Sequence, residues 1–169
     1  MSEAWLNFAI VILVQFVLFI IHALCEKRFA DITHILGKGI LSGIVLGLLF
    51  DLILGKSFSL FSYVLGFNAL FLMLNATLFY GLFVANALLM QQARLLHFYL
   101  WTMVVGAVTE ITNFFLHLWT WKFESLPFLE YLIVLSAGYF GVAILMATVW
   151  HVFGHRFQFI SNTLRKTGR

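Results

Sequence analysis

Apolar residues run along this chain in long blocks separated by short polar or glycine-bearing breaks, and each block is about as long as a bilayer is thick. A hydrocarbon core about 30 Å deep takes about 20 helical residues to cross. The blocks place spans at about 4–25, 36–55, 68–90, 97–121 and 130–153. The pattern therefore predicts an all-α fold, a polytopic transmembrane helix bundle of five spans forming a single domain over residues 1–169. The first block, Ala4 to Leu24, has no basic segment before it and no small-residue cleavage site after it, so it reads as a permanent span.

The stretch from Phe58 to Met90 is apolar throughout and too long for one crossing. Two readings follow. Residues 58–67 lie along the interface or dip in and return, with a break near Gly66; or they cross, making six spans. Basic residues separate the two. With five spans, Lys27, Arg28, Lys38, Arg94, Arg156, Arg165, Lys166 and Arg169 share one side and only Lys56 and Lys122 the other. Six spans would divide them four against six. The positive-inside rule then favours five spans with the N-terminus outside and the C-terminus cytoplasmic. Trp5, Trp119 and Trp121 would form an outer aromatic belt, and Trp101 with Trp150 an inner one.

Polar residues inside the blocks carry the candidate chemistry. From Thr102 to Trp121 the expected helix holds Glu110, Asn113 and His117 at i, i+3 and i+7, on one face with Thr102, Gly106, Thr109 and Thr120. An acid at mid-depth is costly and marks a functional candidate. Asp51, Asn75, Asn113 and His117 would share the outer half of the membrane, with Glu110 deeper. For Asn68, Asn75 and the threonines, interhelical hydrogen bonds of about 0.6 kcal/mol each are the simpler reading. Asp51, close to a helix end, either reaches water or joins the site. At the opposite boundary His22 and Glu26, His97, and the pair His151 and His155 have spacings that suit a metal or haem, or equally headgroups and helix C-termini.

Composition sharpens this picture. Hydrophobic residues make up 63% and charged residues 10% of the chain, against roughly 25% charged in soluble domains. The net charge of +3 follows membrane orientation, so the basic balance points to no nucleic acid. A lone Cys25 excludes an intrachain disulfide. The sequence holds no P-loop, GxSxG, CxxC or HExxH pattern.

An internal echo joins the two halves: Gly47, Asp51 and Tyr80 recur 59 positions later as Gly106, Glu110 and Tyr139. Both acids lie on spans of the same direction, as in a parallel repeat. The run Gly43-Ile-Val-Leu-Gly47-Leu-Leu-Phe-Asp51-Leu-Ile-Leu-Gly55 resembles a helix of the rod-shape-determining MreD proteins. It is also similar to helices in the substrate-binding S-components of energy-coupling-factor transporters. That likeness implies a small polytopic subunit that binds a ligand and works with partner chains. A second likeness is to integral-membrane lycopene and terpene cyclases, on an acid followed by an aromatic patch in each half: Asp51 then Phe58 to Tyr63, and Glu110 then Trp119-Thr120-Trp121. The cyclases' Pro-x-Glu-Glu motif is absent.

Three functions are therefore expected. The first is a membrane binding or transport subunit holding a small or lipid-like ligand at Glu110, Asn113, His117, Asn75, Asp51, Tyr80, Tyr139 and Trp119. The second is an intramembrane acid–base enzyme on an isoprenoid or lipid, with Glu110 as proton donor and His117 or Asp51 recovering a proton. The third is an accessory subunit of a larger membrane complex. Each implies a multi-pass protein of the cell membrane, of bacterial inner-membrane type, with the bilayer and either other membrane subunits or further copies of itself as partners.

Overall fold

Long apolar runs have one economical solution in a medium that offers the backbone no hydrogen bonds, which is to close every bond within a helix. The computed structural model describes residues 3–89, 95–122, 127, 129–131, 133–139, 141, 142 and 144. Among these residues, four helices are long and apolar enough to cross a membrane. The first is Glu3–Cys25. The second is a continuous rod, Phe29–Ser57, whose last segment, Asp51–Ser57, is π-helical. The third, Ala69–Leu89, has a π-helical centre at Asn75–Tyr80. The fourth is Leu95–Leu116. A shorter apolar helix, Leu129–Tyr139, follows. It covers part of the expected fifth span, and residues 145–153 of that span lie outside the described residues.

The third helix is the hub, with every residue of its final segment, Gly81–Leu89, buried. Gly39, Gly43 and Gly47 of the second helix lie against it. A Cβ added at Gly43 would stand 2.5 Å from Gly81 Cα, and one at Gly39 would stand 2.7 Å from Ala85 Cβ. Small residues four apart let two helix backbones approach to this distance, as they do between membrane helices generally. The GxxxG run is thus a packing face. Polar links tie the first helix to the others: Asn7 Nδ2 donates to Leu116 O at 2.9 Å, Gln15 donates to Thr109, and His22 Nδ1 meets Asn86 Oδ1 at 3.0 Å.

Residues 58–67 form no helix, against the six-span alternative; they contain a short strand, β1 (Phe61–Tyr63). Nor does the fourth helix continue to residue 121. It stops at Leu116, His117 takes φ 48°, and the chain turns into β2 (Trp119–Trp121). Asn113 forces the stop, because its Oδ1 accepts from Leu118 N at 3.0 Å and from Trp119 N at 2.9 Å. Its Nδ2 donates to Trp119 O at 2.9 Å. The strands pair antiparallel, Phe61 with Trp121 and Tyr63 with Trp119, about a centre at Ser62 and Thr120. This ribbon closes the bundle at the end where the second and fourth helices finish.

Candidate functional site

Asp51 and Glu110, the two acids set in the apolar second and fourth helices, belong to the same kind of local unit. Gly47 leaves room for the Tyr80 ring, since a Cβ there would stand 2.7 Å from it. The ring packs against the helix at Gly47, and its hydroxyl reaches one turn on to donate to Asp51 Oδ1 at 2.9 Å. Gly106 does the same for Tyr139, with 2.9 Å to the hypothetical Cβ. The Tyr139 hydroxyl donates to Glu110 Oε1 at 2.7 Å. The echo of Gly47, Asp51 and Tyr80 in Gly106, Glu110 and Tyr139 is therefore one structural unit used twice.

The ribbon completes each unit. From β1, Tyr63 donates its hydroxyl to Asp51 Oδ1 at 2.9 Å. From β2, Trp121 Nε1 donates to Glu110, at 3.1 Å to Oε1 and 3.2 Å to Oε2. Asn75 opens the π-helical turn of the third helix and adds a donor to Asp51 Oδ2 at 2.9 Å. It also donates to the Tyr63 hydroxyl at 3.0 Å. A π-turn re-aims side chains that a regular helix would direct elsewhere, and both acid-side π-turns start at a residue of this cluster, Asp51 and Asn75. Burial, reinforced by the neighbouring Asp51, pushes the Tyr63 phenol well above its ordinary range, so it acts as a donor.

Between the units lies a cavity of about 260 Å³. Its lining repeats across the two halves. Tyr80 corresponds to Tyr139, Phe83 to Val142, and Phe61 and Tyr63 of β1 to Trp119 and Trp121 of β2. Phe79 has Gly138 as its counterpart, and no atom of the described residues lies within 4 Å of a Cβ built there. The walls are aromatic and aliphatic, and the polar residues among them are Asn75, Tyr63, Tyr80 and Tyr139. Trp119 Nε1 is buried without a hydrogen-bond partner among the described residues. A second void, lined by Gly106, Glu110, Tyr131 and Tyr139, lies on the other side of the Glu110 unit.

The expected residues thus divide. Asn75, Tyr80, Tyr139 and Trp119 line the cavity, with Asp51 and Glu110 behind them, each hydrogen-bonded to one of the two tyrosines. Asn113 does not offer its amide to a ligand; it is committed to the backbone turn that starts β2. His117 leaves the Glu110 face altogether, because the helix has ended before it, and its side chain is exposed. Asp51, expected either to reach water or to join the site, is 0% exposed. At the far end of the bundle His22, Glu26 and His97 come together, while His151 and His155 lie outside the described residues. Tyr63 and Trp121 were missing from the expected site. Their signal is present in the sequence as aromatic–hydroxyl–aromatic triplets, Phe61-Ser62-Tyr63 and Trp119-Thr120-Trp121, one after each acid.

No protein-family model, no curated protein and no solved structure matches the chain.

Proposed function

We propose that this chain is an integral membrane binding or transport subunit that holds an apolar, lipid- or isoprenoid-like ligand in the cavity between the Asp51 and Glu110 units. The observation that carries this reading is a void of about 260 Å³ with almost wholly aromatic and aliphatic walls. An engineered apolar cavity of about 150 Å³ stays dry and takes up one benzene ring. By that scale this one accepts a branched or unsaturated segment of roughly ten carbons. Each carboxyl lies behind a tyrosine that lines the void, so a ligand's polar end finds hydroxyl oxygens there and its chain finds rings.

A second reading, an acid–base enzyme on the same ligand, is favoured by one feature. Tyr80 and Tyr139 both line the void with a carboxyl directly behind the hydroxyl. A proton passed from one unit to an alkene carbon, and another returned from an adjacent C–H to the other unit, would balance as an isomerisation or cyclisation.

The test is mass spectrometry of the lipid extract from protein purified in mild detergent. The wild-type chain is expected to carry one enriched apolar compound, and Gly138→Phe, which fills the cavity, to carry none. Equal recovery from both would overturn the binding site. If Asp51→Asn and Glu110→Gln retain a compound of the same formula but a different isomer, the enzyme reading prevails.

A further inference from the structure

The last turn of the first helix and the first turn of the fourth bring His22, Glu26 and His97 together at the end of the bundle away from the ribbon. His22 is 0% exposed. Its Nδ1 is 3.0 Å from Asn86 Oδ1, and the Asn86 amide nitrogen is itself engaged as donor to Leu82 O at 3.1 Å. Asn86 Oδ1 is therefore an acceptor, which places the imidazole proton on Nδ1 and leaves a lone pair on Nε2. That Nε2 is buried and has no hydrogen-bond partner among the described residues. It points toward Glu26 Oε1, 3.8 Å away, which in turn is 2.8 Å from His97 Nε2. Stacking on Trp101, with centroids 4.2 Å apart and planes at 26°, fixes the plane of the His22 ring.

A buried acceptor aimed at a carboxylate oxygen is unfavourable unless something positive stands between them. We infer that His22 Nε2, Glu26 and His97 Nε2 form a binding site for a divalent transition-metal ion of the zinc or iron(II) class. All the ligand atoms lie within 4.8 Å of one another. Metal–ligand bonds of about 2.0–2.2 Å put tetrahedral ligand atoms roughly 3.3 Å apart, so small side-chain rotations seat the ion. Two imidazoles and one carboxylate suit these metals. The hydrogen bond from His22 Nδ1 to Asn86 supplies the outer support that fixes tautomer and ring orientation in such sites. The half-exposed His97 gives the ion a route in from solvent. This site is separate from the aromatic cavity and does not depend on how that cavity is used.

The test is a Co²⁺ titration of the full chain carrying no polyhistidine tag, read by visible absorption, with Zn²⁺ displacement. One equivalent of Co²⁺ is expected to bind with a ligand-field spectrum that Zn²⁺ abolishes. His97→Gln, on the exposed side, should weaken binding by roughly tenfold or more, and Asn86→Ala by about 10–100-fold. Far-UV circular dichroism and gel filtration establish that each variant is folded. If His22→Gln misfolds, His97→Gln and Glu26→Gln decide the matter. Absence of a Co²⁺ spectrum, or a stoichiometric one that survives both of those variants, overturns the site.

Discussion

Asp51 and Glu110 do the same thing under different burial. Asp51 is 0% exposed and accepts from two phenols and an amide, whereas Glu110 is half-buried. The sequence ranks them the other way, because the expected spans put Asp51 near a helix end and Glu110 at mid-span, whereas in the structure each acid stands six residues before its helix ends. What covers Asp51 is Tyr63, which returns from β1, and no helical periodicity announces a residue arriving from a ribbon. Asp51→Asn puts an amide N–H against donors and leaves at least one of them unsatisfied, at a cost of about 1–3 kcal/mol. Glu110→Gln, with more access to its surroundings, is expected to cost less. Reversible unfolding of both variants in mixed SDS micelles, followed by circular dichroism, measures the difference, and equal losses would count against the assigned burial.

At the level of elements, the helices were legible and their ends were not. The expected spans 4–25 and 68–90 differ from Glu3–Cys25 and Ala69–Leu89 by a residue or so at each end, because hydrophobic length sets them. The expected fourth span runs five residues past the end of the helix, since hydrophobicity continues through Trp119–Trp121 while Asn113 ends the helix by capturing the backbone beyond it. Single-residue hydrogen bonding of that kind leaves no trace in an apolar pattern. The GxxxG face was legible as a pattern, and the structure gives its purpose. Gly43→Leu is expected to separate the second and third helices and cost more than the about 1–3 kcal/mol of ordinary overpacking, because the obstructing atoms are backbone. Gly37→Leu, with no atom of the described residues near its hypothetical Cβ, should fold normally. The same SDS titration reads both, and a tolerated Gly43→Leu would contradict the packing.

Over the whole molecule, two helix–strand–helix halves face each other across the Ser62–Thr120 pair of the ribbon, and the first helix stands outside the repeat, held on by Asn7, Gln15 and His22. The repeat was visible as three matched residues; that the two halves flank a shared cavity was not, since that depends on how the halves meet. Symmetry is broken where Phe79 in one half is answered by Gly138 in the other, and that missing side chain is part of the space a ligand would occupy. This is the space proposed to bind an apolar chain. Cis-parinaric acid, a conjugated polyene, quenches tryptophan emission on close approach, and Trp119 and Trp121 line the cavity. Titration of the purified chain should give saturable quenching with one site per molecule, and Gly138→Phe should reduce the affinity at least about tenfold, which is about 1.4 kcal/mol. Quenching that rises without saturation, or that Gly138→Phe leaves unchanged, would contradict the account.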